Sequence, residues 1–183
     1  MMKPVFLIGY MGCGKTTLGE VLAQQMGVPF IDLDEYIERQ QAMTIVEIFA
    51  REGKGRFREL ESAALREVCM MGASIVACGG GTPCHGDNMA LMNQAGVTVW
   101  LTTSPERITA RLLLPEQRAK RPKFKDLPDD AFLSLVQREL AARAPYYRKA
   151  QLQFDSTDIE TASATTRTAR RLATLLRSDC SCG

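Results

Sequence analysis

The chain has a single histidine, His85, a single tryptophan, Trp100, and no C-x-x-C pair among its six cysteines. Cys13, Cys69, Cys78, Cys84, Cys180 and Cys182 therefore show none of the ligand spacings that hold zinc. Cys180-Ser181-Cys182, far in the chain from His85, is a poor metal site. Charge of one sign is also scarce: 23 Lys+Arg against 21 Asp+Glu leave a net charge of +2, too little to argue for nucleic acid or an anionic membrane. No apolar run approaches the roughly 20 residues that cross a bilayer. The short apolar stretch near the N-terminus leads straight into a glycine loop that signal cleavage would remove. These absences point to a cytoplasmic protein with reduced thiols, and nothing in the sequence demands a partner, so a monomer is expected. At 183 residues, one domain spanning 1–183 is the expectation.

What is present begins with Gly9-Tyr10-Met11-Gly12-Cys13-Gly14-Lys15-Thr16, which fits G-x-x-x-x-G-K-[ST], the phosphate-binding P-loop. Its four fixed positions should match by accident in on the order of one chain in a few hundred of this length. The flanks agree with the motif. Pro4 to Ile8 reads as a buried strand, and Leu18, Val21 and Leu22 recur at helical spacing before Gly27 supplies a stop. Glycines let backbone approach phosphates closely. Free N–H groups and the positive end of the helix dipole then face the anion. Lys15 adds a point charge, and the Thr16 hydroxyl is a ligand for Mg²⁺.

Further strands are predicted at Pro29 to Leu33, Ser74 to Cys78, Val97 to Leu101 and Gln151 to Asp155, alternating with helical patterns. Asp34 to Gln41 reads as a helix. Thr44 and Glu47 form a capping box that opens another helix through Ala50. Gly53 and Gly55 are predicted to break the chain before a helix over Arg56 to Met71. Asp87 to Gln94, a segment opened by Ser104-Pro105-Glu106, Asp129 to Arg143 and Thr161 to Leu176 complete the helices. From Leu113 to Lys125 the pattern dissolves into a basic loop. Such alternation implies an α/β fold of three layers, a five-stranded parallel sheet with helices on both faces, with ligands at the carboxyl ends of the strands.

The candidate chemistry sits at those ends. Asp32 and Asp34 lie two apart near the end of the second strand, where side chains share a face. One carboxylate could serve Mg²⁺ through water and the other an attacking hydroxyl; the competing reading is that Asp34 simply caps the next helix. Gly79-Gly80-Gly81 suits a ligand touching bare backbone, or a tight turn. Arg58 and Arg143 are cationic forks suited to a carboxylate, and the sequence leaves open whether they converge. Arg118, Lys120, Arg121, Lys123 and Lys125 make a basic stretch that reads either as a lid over phosphates or as a solvated loop. Cys13 reads either as a thiol activated by the helix start and Lys15 or as a loop filler.

In combination these pieces resemble the shikimate kinases, small P-loop kinases, over about Val5 to Phe154. The resemblance rests on the P-loop, Asp32-Leu33-Asp34, Ile48-Phe49-Ala50 with Phe57-Arg58-Glu59-Leu60-Glu61, the glycine triplet, Arg121-Pro122 and Arg143-Ala144-Pro145-Tyr146-Tyr147. It implies a P-loop NTPase fold of nucleoside monophosphate kinase type and transfer of the ATP γ-phosphoryl group to the 3-hydroxyl of shikimate, a step of chorismate and aromatic amino-acid biosynthesis. It also implies roles. Gly12, Cys13, Gly14, Lys15, Thr16 and Thr17 would bind ATP, with Arg111 near the adenine. Thr16 and, through water, Asp32 would serve Mg²⁺. Asp34 would be the base, and Lys15 and the lid residue Arg121 would act on the transferring group. Asp34, Arg58, Gly80, Gly81, Arg143, Phe49, Phe57 and Glu61 would surround shikimate. The substrate-binding part would span about 34–61 and the lid about 112–125, with a disordered tail after about 177. Lys123 and Phe124 depart from the apolar residues common after Arg121-Pro122, which makes Arg118 a rival for the lid role. The Asp155-Ser156-Thr157 loop matches the family's adenine loop loosely. The nearest alternatives are another small-molecule kinase, such as a gluconate kinase, and a nucleotide-binding regulatory module without turnover.

Overall fold

The computed structural model describes residues 3–119 and 128–179. Val5–Ile8 (β1) is a continuous apolar run buried along its whole length, as a strand covered on both faces requires. It sits at the centre of a five-stranded sheet that also contains Phe30–Asp32 (β2), Ile75–Ala77 (β3), Val97–Thr102 (β4) and Leu152–Asp155 (β5). The order is β2-β3-β1-β4-β5, and every pairing is parallel. Alternate residues of β1 feed two cores. Phe6 and Ile8 pack towards Leu33–Gln41 (α2), Ile45–Met70 (α3), Asn88–Ala95 (α4), Pro105–Leu112 (α5) and Asp129–Tyr147 (α7). Val5 and Leu7 pack towards Lys15–Met26 (α1) and Ala162–Asp179 (α8). The three-layer architecture read from the sequence is the one observed.

Local differences have physical causes. β2 stops at Asp32, because Asp32 is the N-cap of α2: its side chain accepts from the Asp34 and Glu35 amides. Asp34 therefore stands in the first helical turn and does not share a strand face with Asp32, a correction to the pleat argument; the capping role proposed for Asp34 belongs to Asp32. The capping box at Thr44 and Glu47 is present. Gly53, at φ 82° and ψ 173°, kinks α3, whereas Gly55 continues it, so one glycine breaks the run instead of two.

The predicted loop from Leu113 contains a short helix, Pro115–Ala119 (α6), with proline at its start and Glu116 in its first turn. α7 runs past Arg143 to Tyr147 despite Pro145, and α8 runs past Leu176 to Asp179. A 3₁₀ turn, Thr82–Cys84, follows the glycine triplet. Connections leave the neighbouring strands β1 and β3 in opposite directions, and the crevice outside their carboxyl ends is where this architecture binds ligands.

Candidate active site

A cleft of about 520 Å³ opens at that point, lined by the P-loop, Asp32, Asp34, Gly79, Gly80, Arg111 and Ile159 among others. Its outer end is the P-loop. Gly14 adopts φ 96°, the left-handed region, and a Cβ there would run into the Ile159 side chain, so backbone strain and packing both require glycine. Gly12, Gly14, Lys15, Thr16 and Thr17 all line the cleft. The Lys15 ammonium donates to the Gly9 and Tyr10 carbonyls at 2.9 and 3.0 Å. The Cys13 side chain is buried in the core beneath α1 and α8, its Sγ 3.9 Å from the Lys15 ammonium.

Thr16 and Asp32 meet directly: the threonine hydroxyl donates to Asp32 Oδ2 at 3.0 Å. Asp32 Oδ1 is held by the Asp34 amide at 3.1 Å and the Glu35 amide at 3.4 Å. Among the described residues no group of three His, Cys, Asp or Glu side chains could cage a metal. A hydroxyl beside one anchored carboxylate, open to the cleft, suits instead an ion that prefers oxygen and keeps most of its waters, as Mg²⁺ does.

Asp34 stands between this pair and the inner end of the cleft. Burial pushes its pKa up from 3.8 to about 6, helped by the Asp32 and Glu61 carboxylates and opposed by Lys15 and Arg58. A carboxylate tuned in this way is a better proton acceptor near neutrality than an ordinary one.

At the inner end the two arginines predicted from sequence do converge, and the glycine triplet records it. A Cβ at Gly79 would lie 3.0 Å from Asp34 Oδ1, one at Gly80 3.2 Å from Arg143 Nη1, and one at Gly81 2.7 Å from Arg58 Nη2. Each glycine is small because a polar side chain packs on it. The N–H groups of Gly80 and Gly81 have no protein acceptor among the described residues. Arg58 Nη1 donates to Glu61 at 2.6 Å, and Glu61, fully buried, also accepts from the Thr82 hydroxyl at 2.6 Å. Arg143 Nη2 donates to Glu139 at 3.0 Å. Phe57 is buried under Arg58, whose guanidinium lies 5.1 Å from the ring centre. Phe49 stacks on Phe57 with centroids 4.7 Å apart and is 39% exposed.

Arg111 is the most tethered cation of the cleft. It donates to the Gly12 carbonyl at 3.0 Å, to the Thr157 carbonyl at 2.9 Å and to Glu160 at 2.8 Å. It thus fastens the P-loop to the segment after β5. Ser156 adds a bond from its hydroxyl to the Cys13 carbonyl at 2.7 Å. Arg121, assigned to the lid, lies outside the described residues, as do Lys120, Lys123 and Lys125; Arg118 falls within α6, and its side chain lies outside them too.

The sequence reading missed Thr82, Glu139, Ile159 and Glu160. Glu139 was within reach, because Glu139, Arg143 and Tyr147 follow at four-residue steps on one helix face. Ile159 and Glu160 carry no local signal.

A parallel sheet with a glycine loop at the switch point, a lysine and threonine opening the next helix, and a partly buried carboxylate beside them defines a P-loop phosphotransferase. The comparisons sharpen this. The family model for shikimate kinase matches residues 11–173. A shikimate kinase of Bacteroides thetaiotaomicron is 41% identical over 96% of this chain and 99% of its own length. The crystal structure of shikimate kinase from that organism superposes with a TM-score of 0.91 at 40% identity, covering 97% of this chain and 99% of the other. Shikimate kinase from Acinetobacter baumannii, solved in complex with shikimate, superposes at 0.82 with 30% identity, covering 98% and 95%. A gluconokinase from Sinorhizobium meliloti, covering 97% of each chain, reaches only 0.53 at 15% identity and shares the fold alone. The chain belongs to the shikimate kinase family and is an ATP-using kinase.

Proposed function

We propose that the protein transfers the γ-phosphoryl group of ATP to the 3-hydroxyl of shikimate, giving shikimate 3-phosphate and ADP for chorismate and aromatic amino-acid biosynthesis. The observation that carries this reading is the position of Asp34. It lies between a phosphate-binding loop and two arginines that flank Gly80 and Gly81. Arg58 and Arg143 take the substrate carboxylate. Arg58 Nε is buried with no acceptor among the described residues, and an unmade bond of that kind costs about 1–3 kcal/mol until an oxygen supplies it. The free N–H groups of Gly80 and Gly81 meet the substrate from the strand side, and Phe57 with Phe49 backs the arginine. Asp34 then accepts the proton of the attacking hydroxyl.

Gly12, Gly14, Lys15, Thr16 and Thr17 hold the phosphates; Cys13 contributes through its backbone. Lys15 must leave the Gly9 and Tyr10 carbonyls to reach them. Arg111 borders the adenine. Thr16 and Asp32 would hold Mg²⁺, which when bound offsets charge on the β- and γ-phosphates. Arg121 is assigned to the transferring group from the lid. In such chemistry positioning and charge supply most of the acceleration. The same reading takes the protein as a monomer in the cytoplasm, where the free thiols of Cys13, Cys69, Cys78 and Cys84 would stay reduced.

The test is ADP release from Mg-ATP with shikimate, quinate or gluconate. Strong stimulation by shikimate alone, with shikimate 3-phosphate as product, is expected. Stimulation by gluconate instead would replace the substrate, and ATP binding without turnover would favour a regulatory module.

A further inference from the structure

Arg143 is held by a second set of residues that the reaction itself does not call for. Glu139 Oε2 accepts from two donors at once, Arg143 Nη2 at 3.0 Å and the Tyr10 hydroxyl at 2.8 Å. The Tyr10 ring also lies against the guanidinium, its centre 5.1 Å from Arg143 Cζ. On the next turn of α7, the Tyr147 hydroxyl lies near the Arg143 charge and donates to the Gly80 carbonyl at 2.6 Å. Both tyrosines are buried to within 1% of full burial. Burial raises the Tyr10 pKa, and the bond to Glu139 raises it further, so the phenol remains a donor across the working pH range.

A guanidinium is planar, and these contacts fix it in nearly every direction. One nitrogen is tied to Glu139, one face is covered by Tyr10, and the edge near Gly80 is bounded by Tyr147. These contacts narrow the orientations in which the guanidinium can meet an incoming planar anion. Resting on the reading of Arg143 as a carboxylate ligand, we propose that Tyr10 and Glu139 are positioning residues that aim Arg143 at the acid substrate. Tyr10 belongs to the P-loop, so the aim is referenced to the same loop that places the phosphates. A carboxylate fixed relative to that loop is what brings one hydroxyl into line with the γ-phosphate.

The test uses steady-state kinetics on the full chain. Tyr10→Phe deletes one oxygen and keeps the ring; Glu139→Gln keeps an acceptor and removes the charge. Each should raise the KM for shikimate about 5- to 20-fold, less than the roughly 10- to 150-fold of losing a charged hydrogen bond to the substrate itself, because these bonds only aim Arg143, with the KM for ATP within about twofold. The double variant should be no worse than about twice the weaker single one, since both act through Arg143. Arg143→Lys is the reference and should raise the shikimate KM about 100-fold. If Arg143→Lys does so while Tyr10→Phe and Glu139→Gln leave that KM unchanged, the positioning role is wrong and the clamp stands. If Arg143→Lys leaves it unchanged, the clamp reading fails and the proposal falls with it. Equal losses for both substrates would also overturn it, because they mark a merely structural role. Should Glu139→Gln not fold, Tyr10→Phe decides alone.

Discussion

At the phosphate end of the cleft, Gly9 to Thr17 supply a loop whose chemistry is mostly backbone and whose residues are contiguous. At the acid end, Arg58 and Glu61 come from α3, Thr82 from the 3₁₀ turn, and Glu139, Arg143 and Tyr147 from α7. The loop binds with amide groups that any sequence of glycines in this conformation would provide, so few side chains matter. The acid end binds with long side chains that must each be stiffened by a buried partner: Glu61 for Arg58, Glu139 for Arg143. Backbone sites are cheap to orient and unselective. Side-chain sites need a supporting layer and give specificity in return.

Asp34 joins the two ends, and breaking it should have the largest effect. Asp34→Asn should lower kcat by about 10²- to 10⁴-fold while ATP still binds, read by turnover and by nucleotide titration. Retained turnover would leave Asp34 no role in the proton transfer. In the wild type, kcat/KM should fall about tenfold per pH unit below about 6, where Asp34 takes up its proton. Stability moves the opposite way. The pKa is raised on folding from 3.8 to about 6, so the group favours the fold at low pH and that contribution is lost as the pH rises through about 6. The unliganded Asn variant should therefore exceed wild type at pH 8 by about 1–3 kcal/mol, with the difference closing by pH 4, as urea denaturation would show.

Arg58→Ala tests whether the ends are separable. It should cut kcat/KM for shikimate about 100-fold, as expected for losing a charged bidentate contact, and change the KM for ATP less than twofold. A parallel loss for ATP in a folded variant would mean that the arginine does not belong to the acid end alone. Gly81→Ala makes the same point from the other side. Its Cβ would sit 2.7 Å from Arg58 Nη2 and must push the guanidinium aside, so the shikimate KM should rise about tenfold. The smallest effect belongs to Gly55→Ala. Gly55 is helical and exposed, with open space around its Cβ position. The substitution should add about 0.5–1 kcal/mol of stability and leave both KM values alone.

This contrast also explains what could be read in advance. The P-loop, the sheet and the Thr44 capping box are encoded by neighbours in sequence, and they were legible. Arg58 and Arg143 could be named as a type of residue, and their convergence needed the crossing at Gly80 and Gly81. Asp34 was proposed by a faulty geometric route, because Asp32 ends the strand by capping α2. Tyr10 sat unremarked as a variable loop position, since its partner Glu139 is distant in the chain. Ile159 was invisible for the same reason, although it is what Gly14 packs against.

Tyr147, bonded to Gly80 on one side, rests against Trp100 on the other, with ring centroids 5.8 Å apart. Trp100 is the chain's only tryptophan, so its fluorescence comes from one place, next to the residue that brackets Arg143. The indole also stands against the first glycine of the P-loop, where a Cβ at Gly9 would lie 3.5 Å from Trp100 Cδ1, so filling either end changes the field and packing around it. The protein thus carries its own optical probe. Emission recorded during titrations with shikimate and with nucleotide therefore follows the filling of either end, with no label attached.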